Sequence, residues 1–348
     1  MTTPDTKIHD FTSSAPAFSI SVEARPVYEA LAHLFVWTQD HPADYEDTLA
    51  FELAEKARPK LQSELQDFAA MSPLWPALFG VVAATDITTV TELAEFIDGE
   101  TVRRLLITHM GVEDCDAETM KAACSGDRTA TEAVLEACNA STHLVALLDL
   151  SNAELAASIG NILTMYAADV EPALTDRMPI LQRSVEEKRA LSRRMSPTDL
   201  VEQATNGVTL DMGPRVEGIL LIPSIVIRPW ALISEAAGTR IVCYSVTDDV
   251  LNADPDAPPR YLVNLFKAVG DEKRLAMLKH ISKGGITLRD LADRMGLAKS
   301  TTHHHVGALR SAGLVRVVVT DDDKYYEIRT RNIADAGPLL ERFLNEQS

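Results

Sequence analysis

The sequence predicts a mainly α chain with a small β component: an α-rich N-terminal domain with a small sheet (1–247), a linker (248–259) and a compact C-terminal domain (260–348). Three observations lead there. The 348 residues exceed what one ordinary core serves, since a domain typically holds roughly 150. Apolar residues recur at three and four spacing through most of the N-terminal part, whereas alternating runs are few. The charge is also divided. The chain carries a net −18, yet residues 1–257 hold 18 Lys and Arg against 40 Asp and Glu, while 258–348 hold 15 against 11. Such a change of sign marks separate units.

Taken in order, Phe18 to Val22 alternates with serines and reads as a strand. Tyr45 to Met71 and Asn152 to Met195 read as helix, broken or restarted at Pro59 and Pro172, because proline removes a backbone donor. Thr91 to Ile97 and Asp127 to Cys138 are shorter amphipathic helices, each entered through small polar residues suited to capping. Gly218 to Ile227 and Arg240 to Val246 are rich in Ile and Val and are expected to pair across the Ser234 to Thr239 connection. The linker reads DDVLNADPDAPP, whose prolines and aspartates favour extended chain.

Several function classes find no support in this pattern. No apolar run reaches the roughly 18 residues of a membrane span, as Gly218 to Ile227 is broken by Pro223 and stopped by Arg228. The opening residues lack the apolar stretch of a signal peptide, so a cytoplasmic protein is expected. Four cysteines without a CxxC pair (Cys115, Cys124, Cys138, Cys243) read as buried free thiols. GxGxxG, GxxxxGK[ST], HExxH and GxSxG are all missing, and His33, His41, His109 and His143 stand alone. An enzyme is therefore not expected, nor any cofactor. Trp230 and Tyr244 would suit the wall of a ligand pocket, but plain core accounts for them better.

The C-terminal module is more specific. Tyr261 to Val269 puts Leu262, Leu265 and Phe266 on one helical face, closed by Gly270. Asp271 caps a second helix with an apolar stripe of Leu275, Leu278 and Ile281. Thr287, with Asp290 three residues on, starts a third that buries Leu288, Leu291, Ala292 and Met295. Gly296-Leu297-Ala298 is then a three-residue turn into a helix from Lys299 to Ser311, with Thr302, Val306 and Leu309 facing inward. Two helices so joined form a helix-turn-helix. Leu314 to Val319 and Lys324 to Arg329 alternate around Thr320 to Asp323 as a hairpin, the wing.

The segments LFKAVGDEKRLAML and TLRDLADRMGLAKSTTHHHVGALRSAGLV resemble the ArsR-type winged-helix transcriptional regulators. This resemblance covers about ninety of the 348 residues. Ahead of it, GILLIPSIVIRPWALI and TRIVCYSV resemble a large uncharacterised domain fused to such modules, which brings no activity with it. The resemblance implies a regulator that binds double-stranded DNA as a homodimer, through the helices Tyr261 to Val269 and Asn332 to Gln347.

Recognition helices read bases in the major groove, where each pair shows its own donor and acceptor pattern. Ser300, Thr301, His303 and His304 are the expected base readers. With Thr302, Val306 and Leu309 inward, the 100° step per residue places Ser300, His303, His304 and Gly307 on or beside the outer face, with His305 nearer the core. Lys299 and Arg310 flank that face as phosphate contacts, which fix register without specifying sequence. Adjacent side chains of His303, His304 and His305 diverge and do not converge on one ion, so metal binding is not expected. The family's metal sensors place cysteines in the scaffold helix, and Thr287 to Met295 has none.

Two departures stand out. The wing tip reads Thr320-Asp321-Asp322-Asp323, which phosphate would repel. Ala298 occupies the cap position of the recognition helix. The leading expectation is a regulator whose acidic domain answers an unknown effector. The alternative is a winged helix that serves as a protein-interaction or targeting module for an N-terminal domain of unknown activity, an enzymatic one included.

Overall fold

Strand β1 (Ser19–Val22) leads through Arg25 into helix α1 (Pro26–Trp37), where Pro26 supplies a first residue with its backbone angle already set. The computed structural model describes residues 19–38, 49–67, 74–108, 115–137, 142–210, 216–228, 231–246, 260–319 and 324–329, together with Gly337, Leu340 and Glu341. Every residue of α1 from Val27 to Leu34 is buried, as expected of a helix surrounded on all sides. Around it run α2 (Leu49–Lys56), α3 (Pro59–Asp67), α4 (Leu74–Ala83), α5 (Val90–Phe96), α6 (Gly99–Thr108), α7 (Ala117–Cys124), α8 (Arg128–Ala137), α9 (Thr142–Leu148), α10 (Asn152–Asp169) and α11 (Glu171–Thr175).

The expected helix boundaries follow the local chemistry. Pro59 opens α3, and Pro172 falls in the first turn of α11. Thr89 and Glu92 form a reciprocal capping box on α5, as Ser151 and Glu154 do on α10. The Asp127 carboxylate accepts from the Ala130 amide at 2.8 Å at the start of α8. None of the described helices is long and apolar enough to cross a membrane.

The first sheet takes the order β1, β3 (Gly218–Ser224), β5 (Thr239–Ser245), β4 (Ala231–Ala236). Strands β3 and β5 do pair, with Leu220 opposite Ile241, but in parallel. The sequence reading missed β4, which occupies part of the presumed connection and makes a tight hairpin with β5 through Ala237 (φ +47°) and Gly238 (φ +74°). Two left-handed residues are what a two-residue hairpin turn needs. Helix α4 packs on β4, seated so closely that a Cβ on Gly80 would lie 2.5 Å from the Ala236 Cβ.

Every residue of β3 is buried, because both faces of this sheet are covered. Leu220, Ile222, Ile241 and Cys243 join the core of α1 to α11. Ile219, Leu221, Val242 and Tyr244 face the other way, onto α12 (Met178–Ser192) and α13 (Pro197–Ala204). Tyr244 is core, its hydroxyl 3.0 Å from Ser184 Oγ. Cys243 is a buried free thiol, while Cys115 and Cys124 are half-buried free thiols.

This second core runs on into the C-terminal module. That module comprises α14 (Arg260–Val269), α15 (Glu272–Ile281), β6 (Ile286–Thr287), α16 (Leu288–Met295), α17 (Lys299–Ser311), β7 (Val315–Val319) and β8 (Lys324–Ile328). Its sheet has the order β2-β7-β8-β6, and β2 (Val208–Leu210) comes from the N-terminal part. One strand thus crosses the division read at 248–259. Leu262 and Leu265 are buried as expected, but Phe266 is 42% exposed and Leu275 49% exposed, so each apolar stripe is only partly covered. The linker 248–259, the wing tip 320–323, His41, His109, Cys138, Trp230 and all of the pairing segment 332–347 except Gly337, Leu340 and Glu341 lie outside the described residues.

Candidate nucleic-acid interface

Helices α16 and α17 meet across Gly296, whose φ of +63° and ψ of +34° are left-handed. Only glycine adopts this conformation without a steric cost. The turn is anchored before and after it. Thr287 Oγ1 accepts from the Asp290 amide at 3.1 Å and donates to the Asp290 carboxylate at 2.9 Å, fixing the start of α16. The Leu297 amide donates to the Ala292 carbonyl at 3.1 Å, and Thr302 N–H to the Ala298 carbonyl at 3.0 Å.

Beneath this pair, Asp271 caps α15 by accepting from the Arg274 amide at 2.9 Å. That bond and the nearby Arg274 charge hold its carboxyl below the usual range. Helix α17 lies on α14, α15 and α16, with Thr302, Val306 and Leu309 each fully buried. The inward spacing read from the sequence is therefore the spacing found.

The N-terminal turn of α17 has the opposite character. Lys299, Ser300, Thr301 and His304 are exposed and His303 is half-buried. The His304 and His305 rings stand 6.2 Å apart and tilted by 59°. His305 is half-buried, and burial pulls its imidazole below the usual value while the Asp271 carboxylate opposes the shift. Ala298 occupies the cap position with no side-chain bond.

Antiparallel strands β7 and β8 form the wing, with Val319 opposite Lys324 at its described end. Residues 269–318 match the model of a family described as "Helix-turn-helix domain". The chain is 29% identical over 87 residues to the transcriptional repressor SdpR of Bacillus subtilis (strain 168), a match that spans 24% of this chain and 92% of that protein. The C-terminal module is a winged helix-turn-helix. Two solved structures are also similar to the chain. An ArsR-like transcriptional regulator from Rhodococcus sp. RHA1 shares 25% identity (25% of this chain, 82% of that one, TM-score 0.23). NolR from Sinorhizobium fredii shares 25% identity (24% and 83%, TM-score 0.21).

Within this winged helix-turn-helix, two assignments made from the sequence need correction. Arg310 is not at the outer face: it is 5% exposed, and its Nη2 donates to the Thr205 carbonyl at 3.3 Å. Burial pulls its guanidinium down to about 10, which still leaves it charged at neutral pH. Gly307 is likewise buried. Helical angle alone misplaced both, because the angular reading treated the C-terminal half of α17 as open to solvent. At Arg310 and Ser311 the N-terminal part in fact covers it. The wing cation Arg329 turns the same way, toward Glu202 at 3.6 Å, while Arg316 pairs with Glu327 of the wing at 2.8 Å and approaches Glu202 at 3.9 Å. The acidic composition of residues 1–257 was the one sequence signal that could have pointed to such pairing.

Proposed function

We propose that this chain is a sequence-specific DNA-binding transcriptional regulator. Its α17 enters the major groove, and its acidic N-terminal domain modulates how tightly DNA is held. One observation carries the reading: α17 sinks Thr302, Val306 and Leu309 completely while presenting Lys299, Ser300, Thr301 and His304 to solvent. Hydroxyls and imidazoles at the N-terminal end of such a helix suit base edges, and an adjacent lysine suits a phosphate. The match to a transcriptional repressor over nearly that protein's whole length supports the same reading.

Association as a homodimer fits the exposed Phe266 and Leu275, which sit on the neighbouring helices α14 and α15. Apolar side chains of this size on adjacent helices are suited to pairing across a two-fold axis. Two recognition helices so related would read half-sites about 10 base pairs apart. Selection of bound fragments from random DNA by the full-length protein tests the proposal. A two-fold motif is expected, and His304→Ala should change the preferred bases within it. Failure to enrich any sequence at moderate salt would refute DNA reading and favour a protein-interaction role for the winged helix.

A further inference from the structure

The winged helix borrows part of its sheet from the other domain. Strand β2 lies parallel to β7 with Val208 opposite Val317 and Leu210 opposite Val319, and the Val317 amide donates to the Gly207 carbonyl at 2.7 Å. An edge that an isolated wing would leave open is closed by this addition. The turn before β2 is left-handed at both Asn206 (φ +51°) and Gly207 (φ +103°). A Cβ on Gly207 would lie 3.2 Å from the Arg316 Cβ, so the turn is seated directly on the wing strand.

This conformation aims the Asn206 amide at the C-terminal end of α17. Its Nδ2 donates to the carbonyls of Arg310 (3.0 Å) and Ser311 (3.2 Å), both in the last turn of the helix, where the Arg310 carbonyl also accepts from the Gly313 amide at 2.8 Å. Its Oδ1 accepts from Arg329 Nη1 at 2.9 Å. Arg310 returns its Nη2 to the Thr205 carbonyl, and Glu202 pairs with Arg316 and Arg329. Behind the turn, Leu200, Val201 and Ala204 of α13 share one core with Leu221 and Val242 of the first sheet and with Val306, Leu309 and Val315 of the winged helix.

We propose that Glu202–Leu210 is the coupling element through which the N-terminal domain and the recognition helix set each other's state. The added strand, the Asn206 clamp and the Glu202 pairs all require α13, α17 and the wing to hold one mutual orientation. A ligand or partner that shifts α13 against the first sheet therefore acts on the base-reading helix directly. The proposal rests on the DNA-reading assignment of α17. It also carries a reciprocal consequence, because coupling between two binding events is symmetric in free energy. DNA on α17 must be felt at Glu202–Leu210.

Amide hydrogen exchange on the full-length protein, with and without a DNA duplex recovered by selection, provides the test. DNA is expected to change exchange across 202–210 by at least about threefold while leaving α8 unchanged. Asn206→Gly keeps the left-handed backbone without strain and removes the amide. It should speed Val317 exchange in the free protein by about tenfold and abolish the DNA-induced change at 202–210. If that variant does not fold, Glu202→Gln removes only the two ion pairs, with an expected effect of about threefold on Val317. DNA binding without any change at 202–210, or wild-type Val317 exchange in the folded variant, overturns the proposal alone. A chain that binds no DNA overturns the reading of α17 and the proposal with it.

Discussion

Replacing His33 by Gln should remove a defined share of the protein's acid sensitivity, about 2.5 kcal/mol. His33 is 0% exposed in α1, its Nε2 lies 2.8 Å from the Ala50 carbonyl and its Nδ1 lies 2.6 Å from the Tyr166 hydroxyl. A carbonyl only accepts, so Nε2 carries the hydrogen and Nδ1 accepts from Tyr166, which is the neutral tautomer. Burial pushes the imidazole from 6.5 down to about 4, and the Ala50 carbonyl offsets only part of this. Because the folded value is the lower one, the unfolded chain takes up a proton below about pH 6.5 that the folded chain refuses, and stability falls as pH falls. Each unit costs about 1.4 kcal/mol until the folded value is approached. Between about pH 7 and about pH 4.5 the loss from this one residue comes to about 2.5 kcal/mol. Urea unfolding of wild type and His33→Gln across that range reads it. The variant starts less stable at neutral pH, having lost buried hydrogen bonds, but should lose about 2.5 kcal/mol less on acidification. Equal losses for the two proteins would refute the argument.

Other outcomes can be checked on the same protein. Lys299→Ala should weaken binding evenly across DNA sequences and reduce the slope of log affinity against log salt by about one, as expected for one lost phosphate contact; a change in preferred sequence would contradict that role. Ala298 already has cap geometry (φ −62°, ψ +146°) without a cap bond, so Ala298→Ser should stabilise the winged helix by about 1 kcal/mol in thermal unfolding. Phe266→Glu should shift a dimer toward monomer in analytical ultracentrifugation with the fold retained, whereas an unchanged mass would separate this side chain from any pairing face.

The candidate site was legible where local chemistry decides the structure. Gly296 marked the left-handed turn, Thr287 and Asp290 marked the helix start, and the spacing of Thr302, Val306 and Leu309 marked the inward face. These signals act within about one helical turn, so they survive in a bare sequence. The first sheet was half legible. Its apolar strands stood out, but parallel pairing depended on β4, whose half-buried ALISEA pattern carries little alternation of its own. Phe266 and Leu275 show the opposite failure, since a stripe predicts an apolar face without saying how much of it one chain covers.

By itself, the sequence determined the helix-turn-helix, its caps, the exposed start of α17 and the division of charge, because each depends on residues close along the chain. Tertiary structure alone decided the seam. Strand β2 spans three residues with no pattern to announce it. Its partners at 317–319 lie more than a hundred positions away, and so do the carbonyls that Asn206 holds. Whether Arg310 meets phosphate or the Thr205 carbonyl depends on what covers the far end of α17, and that is a property of packing between distant segments.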